Sequence, residues 1–143
     1  MHVEIRDAHL RDAARVAQLV GQLGYPTSSE AVARRLARLT ASEADRCVVA
    51  VSEGTIVGMA TVHASFTIVD DEMVAKLSAI IVDERYRQRG IGQALVSALE
   101  AEALRQGCAL LFLTTAEPRA EAHAFYRRLG FEETGRRFAK RLA

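Results

Sequence analysis

The residues best suited by type and spacing to chemistry lie in the stretch IIVDERYRQRGIGQALVSAL, residues 80–99. Apolar β-branched residues run into a charged turn, the turn runs into Gly90-Ile91-Gly92, and beyond it apolar residues recur at helical spacing. Two glycines at a strand-to-helix junction serve either a turn that needs positive φ or a backbone that must approach something bound. The first amides of a helix have no acceptor within it and together carry about half a positive charge, so the junction is a ready anion site. Arg87 and Arg89 flank it and can add charge-assisted hydrogen bonds, each worth roughly 1.5–3 kcal/mol. That combination points to a diphosphate rather than a small carboxylate. The dinucleotide fingerprint fits poorly, because Leu95 stands where a third glycine or alanine belongs. A Walker A loop is excluded, because Gln93 and Ala94 follow Gly92 where that loop needs Lys and then Ser or Thr.

Such a junction needs a strand and a helix to hold it, and the rest of the chain supplies a consistent set. HVEIR alternates as a short strand, and Val16, Leu19, Val20 and Leu23 mark one face of a helix that Gly24 can end. Pro26 breaks the chain, Thr27 and Glu30 have capping-box spacing, and Val32, Leu36 and Leu39 predict a second helix with Arg34, Arg35 and Arg38 outside. RCVVAVSEGTIVGMATVHASF reads as two strands joined at Glu53-Gly54-Thr55, and EMVAKLSAIIV as a third antiparallel strand. The helix after Gly92 turns Ala94, Leu95, Ala98 and Leu99 inward and halts at Gly107, and ALLFLTT follows as an apolar strand expected to be buried on both faces. Pro118 opens a last helix through Leu129 with Gly130 at its end, and FEETGRRFAKRL is expected to close the chain as a strand. The order is β-α-α-β-β-β-α-β-α-β, an α+β chain whose one strand-helix-strand crossover should be right-handed with its strands parallel. No repeat, linker or low-complexity segment appears, and one domain over residues 1–143 is expected.

Composition bounds the partners. With 143 residues the chain is long enough to bury about two thirds of the surface it would expose unfolded. A charged fraction of 26% and a net charge of +1 mark neither a disordered chain nor a polyanion binder, and 6% aromatic residues argue against stacking on single-stranded nucleic acid. Cys47 and Cys108 stand far apart in apolar surroundings and read as buried thiols in a reducing compartment. MHVEIRDAHL lacks the pattern of a secretory signal, and no apolar run approaches the ~20 residues that cross a bilayer. A soluble cytoplasmic protein is expected, with no nucleic-acid, membrane or metal partner.

With the elements in order, RQRGIG resembles the Arg/Gln-x-x-Gly-x-Gly/Ala signature of the GNAT superfamily of N-acetyltransferases, which move an acetyl group from acetyl-CoA to an amine. Arg87, Gly90 and Gly92 stand on its defining positions. AHAFYRRLGF is a second point of resemblance: Ala122, Phe125, Tyr126, Gly130 and Phe131 fall as in that family's last helix and following turn. The resemblance covers nearly the whole chain and implies a GNAT-type mixed sheet with splayed central parallel strands. It implies that the pantetheine arm of acetyl-CoA enters the splay and pairs with the backbone of Ile80, Ile81 and Val82. The pyrophosphate would then rest on the turn of Arg87, Gln88, Arg89, Gly90, Ile91, Gly92 and Gln93. Relatives often pair through strand edges or helices, so a homodimer is also within its scope.

The chemistry implied is direct attack of an amine on a thioester. By resemblance Tyr126 is the general acid for the departing thiolate; a phenol near pKa 10 and an alkyl thiol near about 8.5 are close enough for proton transfer. An alkylamine of pKa about 10 must lose a proton first, at roughly 4 kcal/mol at pH 7. Many members place a carboxylate near the end of the IIV strand, but here those positions are Ser78 and Ala79. The base is therefore open between His63 and the acids Asp70, Asp71 and Glu72. Arg119 stands where the family often has asparagine, and His123 lies one turn before Tyr126. The tail GRRFAKRLA is similar to the ending of members that acetylate small aminoalkyl acids, so the acceptor is expected to be a primary amine of a small molecule or a peptide. The competing reading is a catalytically silent acyl-CoA-binding domain on the same fold.

Overall fold

A computed structural model of the chain describes residues 2–115 and 120–143. Its strands are β1 (Glu4–Asp7), β2 (Asp45–Ser52), β3 (Thr55–Ser65), β4 (Met73–Val82) and β5 (Cys108–Phe112). Its helices are α1 (Ala13–Gln22), α2 (Ser29–Thr40), α3 (Ile91–Arg105) and α4 (Ala120–Arg128), with short 3-10 turns at Leu10–Asp12 and Glu84–Tyr86. The sheet runs β1-β2-β3-β4-β5, antiparallel from β1 to β4 and parallel between β4 and β5.

Period-two alternation sorts the sheet's side chains into two cores. Val48, Ala50, Ala60 and Val62 pack with Leu95 and Leu99 of α3, while Cys47, Val49 and Met59 pack with Leu19 of α1 and Leu36 of α2. The hairpin between β2 and β3 turns on Glu53 at φ 50° and Gly54 at φ 78°, the paired positive φ values of the turn that matches strand twist.

Three expectations are corrected. The cap of α2 is Ser28, whose Oγ accepts from the Ala31 amide at 3.1 Å, while the Thr27 hydroxyl donates to the Tyr25 carbonyl instead. Second, β5 is not buried on both faces: Ala109, Leu110 and Phe112 are exposed because β5 ends the sheet and has no strand on its outer side among the described residues. Third, the closing strand is absent, and residues 131–143 carry no regular structure. Phe138 and Leu142 in that tail are exposed. Pro118 lies outside the described residues.

Two irregularities shape the sheet's centre. Pairing between β4 and β5 runs from Met73 with Cys108 to Lys76 with Phe112, after which residues 77–82 of β4 have no strand partner on that side among the described residues. The two strands part there. Just beyond the last pair, Leu77 faces Val62 and Ala79 faces Thr61, which leaves Ser78 as the extra residue of a bulge.

Candidate active site

The turn after β4 is built from backbone. Gln88 and Gly90 adopt φ values of 61° and 81°, and the first bond of α3 runs from the Ala94 amide to the Gly90 carbonyl at 3.1 Å. The amides of Ile91, Gly92 and Gln93 precede it and have no acceptor within the helix, and Gly90 offers no side chain to cap them. The two glycines do different work. A Cβ at Gly90 would meet nothing within 4 Å, so its role is the left-handed conformation. A Cβ at Gly92 would stand 3.0 Å from Cζ of Phe125, so this glycine admits the ring of α4 against the first turn of α3. Arg87 and Arg89 are exposed; the Arg87 Nε donates to the Val82 carbonyl at 3.4 Å, and the Arg89 guanidinium lies 5.2 Å from the Tyr86 ring centre. On β4, Ile80 and Val82 pack toward α3 while Ile81 is buried on the face of α1 and α2.

Gly58 was not foreseen. It sits opposite Val82, and a Cβ there would lie 3.0 Å from the Ile81 carbonyl oxygen and 3.1 Å from Leu95. Its bareness lets α3 settle directly on β3 and β4 beneath the turn. A glycine inside an apolar strand was the available signal, since it marks close backbone approach.

Tyr126 is positioned by the end of its own helix. The Phe131 amide donates to the Tyr126 carbonyl at 3.0 Å, the Gly130 amide to the Arg127 carbonyl at 3.0 Å, and Gly130 has φ 94°. These are the paired bonds of a Schellman stop, which brings the residue after the glycine against the third from the helix end. The Tyr126 and Phe131 rings accordingly meet edge-on at 5.9 Å, and Phe125 meets Tyr126 at 5.3 Å. Tyr126 lines a groove of about 980 Å³ between α4, the tail and β5 with its continuation at Leu113 and Thr114; His123 lines it as well. Burial pushes the Tyr126 phenol above its ordinary value, so it holds its proton at neutral pH.

At the bulge, Thr61 Oγ1 and Ser78 Oγ share a hydrogen bond of 3.0 Å. His63 lies two residues along β3 from Thr61, on the same face by strand alternation, and its Nδ1 is 2.8 Å from Asp45 Oδ1. The structure thus brings His63 near the point where β4 and β5 part. Asp70, Asp71 and Glu72 are exposed in the loop before β4. Glu72, the nearest of the three in sequence, precedes Ser78 by about 20 Å of extended chain. Arg119 lies outside the described residues.

Burial raises the Cys47 thiol to about 12 and the Cys108 thiol above its ordinary value, which disfavours the thiolate in both. Among the described residues no group of three or more His, Cys, Asp or Glu side chains could hold a metal ion, and no helix is long and apolar enough to cross a membrane.

Comparison with known proteins follows this geometry. The family model described as "Acetyltransferase (GNAT) family" matches residues 12–131. The chain is 32% identical over 93 residues to an aminoalkylphosphonate N-acetyltransferase of Salmonella typhimurium, a match spanning 65% of this chain and 60% of that protein. It is 31% identical over 136 residues to an aminoglycoside N(6')-acetyltransferase type 1 of Stenotrophomonas maltophilia, spanning 92% of this chain and 88% of that one. The solved aminoglycoside N-acetyltransferase AAC(6')-Iy in complex with CoA superposes with a TM-score of 0.86 at 23% identity, covering 99% of this chain and 95% of that chain.

Proposed function

Since the chain belongs to the acetyltransferase (GNAT) family, we propose that it transfers the acetyl group of acetyl-CoA to a primary amine of a small molecule, with Tyr126 returning a proton to the departing thiolate. One observation carries the reading: the edge of β4 freed at residues 77–82 leads straight to the uncapped amides that open α3. An extended arm ending in a diphosphate matches that surface, with the edge offering ladder groups to the pantetheine amides and the turn offering donors to the phosphates. Ile80, Ile81 and Val82 take the first role, and residues 87–93 the second.

The thioester then falls near the bulge. An ammonium acceptor gives up one proton, the neutral nitrogen attacks the thioester carbonyl carbon, and the carbon–sulfur bond breaks to leave a thiolate. Tyr126 protonates that sulfur, the second proton lost by the acylated nitrogen restores the Tyr126 phenol, and the first, from the ammonium, passes to solvent. The Ser78 and Thr61 hydroxyls, with His63 held by Asp45, form a polar track from the bulge outward, and this track is the route we assign to the amine's proton, through an intervening water. It takes the place of a carboxylate on β4.

The acceptor class follows from two considerations. Both curated relatives are named for small molecules bearing amines. The exposed tail also carries Arg136, Arg137, Lys140 and Arg141, which suits an amine that bears an acidic group. The test is thiol release from acetyl-CoA across a panel of aminoalkylphosphonates, amino acids, aminoglycosides and short peptides. Turnover is expected with at least one aminoalkyl acid, and Tyr126→Phe should lower kcat by about 10²-fold with little change in KM for acetyl-CoA. Absence of thiol release with every amine, or full activity of the Tyr126→Phe variant, contradicts the proposal.

A further inference from the structure

Between β4 and α3 the turn has few anchors of its own. Residues 84, 85 and 87–90 are exposed, Tyr86 is half-buried, and only Asp83 is wholly buried. What holds Asp83 comes from far away in sequence. Arg15 on α1 donates from Nη2 to Asp83 Oδ2 at 2.5 Å and from Nε to the Ile56 carbonyl at 2.9 Å. Arg85 donates from its backbone amide to Asp83 Oδ1 at 3.0 Å and from Nη2 to Oδ2 at 3.3 Å. The Asp83 amide donates to the Val57 carbonyl at 2.8 Å, and the Glu84 amide donates to Gln22 Oε1 at 3.1 Å. Helix α1 is thus fastened at two points, Arg15 and Gln22, to the start of the turn whose later amides face outward.

We propose that Arg15 and Asp83 are positioning residues for the acyl donor. Through Arg85 and the Gln22 bond they hold the β4–α3 turn in the shape that presents its amides to a diphosphate. This rests on the reading of that turn as the diphosphate site. The buried carboxylate converts a polar, exposed loop into a preorganised one, so its loss is felt in donor binding before it is felt in the chemical step. Because the fastening runs through α1, the same contacts tie the donor turn to the helix face opposite α3.

The experiment compares acetyl-CoA with acetyl-pantetheine, which has the same thioester and arm but no diphosphate. Wild type should strongly prefer acetyl-CoA. In Arg15→Met the ratio of kcat/KM for acetyl-CoA over acetyl-pantetheine should fall about tenfold, with the loss in KM for acetyl-CoA and kcat within about twofold. Arg15→Lys, which keeps the charge without the fork, should recover part of the loss. Gln22→Ala, which removes only the bond to the exposed Glu84 amide, should give a smaller fall of about threefold, and it carries the same comparison if Arg15→Met does not fold. If the variants melt earlier but keep the wild-type ratio, or lose both donors equally, the inference is overturned and the diphosphate site stands. A wild type that does not distinguish the two donors overturns the diphosphate reading and this inference with it.

Discussion

At the scale of single residues, the glycines of RQRGIG show how one motif can answer two physical demands. Gly90 supplies a positive φ and Gly92 supplies room for the Phe125 ring. The sequence raised both possibilities, a turn and a close approach, but could not say that the close neighbour of Gly92 is a protein ring on α4. Tyr126 was more legible. The Gly130-Phe131 pair that ends α4 is a local device, readable from spacing, and it fixes the ring that stands third from the helix end. Gly92 and Tyr126 are therefore linked through Phe125. In Gly92→Ala the added methyl meets Cζ of the Phe125 ring at 3.0 Å, so that ring, and Tyr126 packed edge-on against it, must shift by a few tenths of an ångström. Steady-state kinetics should show kcat reduced by about tenfold, because Tyr126 is displaced, with KM for acetyl-CoA changed by less than about threefold. A raised KM at unchanged kcat would mean that Gly92 serves phosphate approach alone.

At the scale of elements, the amphipathic helices and the three antiparallel strands were legible because each has a local period that side chains of neighbouring elements satisfy. The outer part of the sheet was not. ALLFLTT is apolar throughout, and an unbroken run does not say whether a second face will be covered; here it is an edge with Leu110 56% exposed. Also invisible was the network that holds the far end of α3. Glu102, buried on α3, accepts from Arg105 and Gln106 on its own turn and from Arg46 of β2 at 3.1 Å, and Arg46 in turn binds Asp7 of β1 at 2.8 Å. Arg46 and Glu102 are 56 residues apart, beyond the reach of any periodic pattern. The Arg105 guanidinium chiefly, aided by Gln106 and Arg46, outweighs burial and holds the Glu102 carboxyl down at about 2. A depressed carboxyl stabilises the fold above its unfolded value near 4.5 and loses that contribution as pH falls from there through about 2. Unfolding free energies from urea titrations between pH 6 and pH 2 should fall for wild type by on the order of 2 kcal/mol more than for Glu102→Gln. Parallel profiles for the two proteins would show that Glu102 is not the titrating group.

Across the whole molecule, the sheet presents two helix-covered faces and one internal opening, where β4 and β5 part. Along that opening lie the bulge at Ser78, the free β4 edge and the start of α3, while Tyr126 lines the groove beside β5. The residues assigned to the site in contiguous stretches, 80–93 and 122–131, were named from the sequence through its family resemblance. The pairing of Arg15 with Asp83, 68 residues apart, could not be read there. Motif spacing reports what neighbours along the chain do, whereas preorganisation of a turn depends on what folds back against it. The central claim is that main-chain donors at the β4–α3 corner grip the diphosphate of the acyl carrier. It is tested most directly by titrating the ¹⁵N-labelled, assigned protein with CoA and following every backbone amide. The account predicts the largest shifts at residues 88–93, accompanied by residues 80–82, with residues 43–46 and the end of α3 still. Saturable binding of CoA that leaves residues 88–93 unmoved would contradict it.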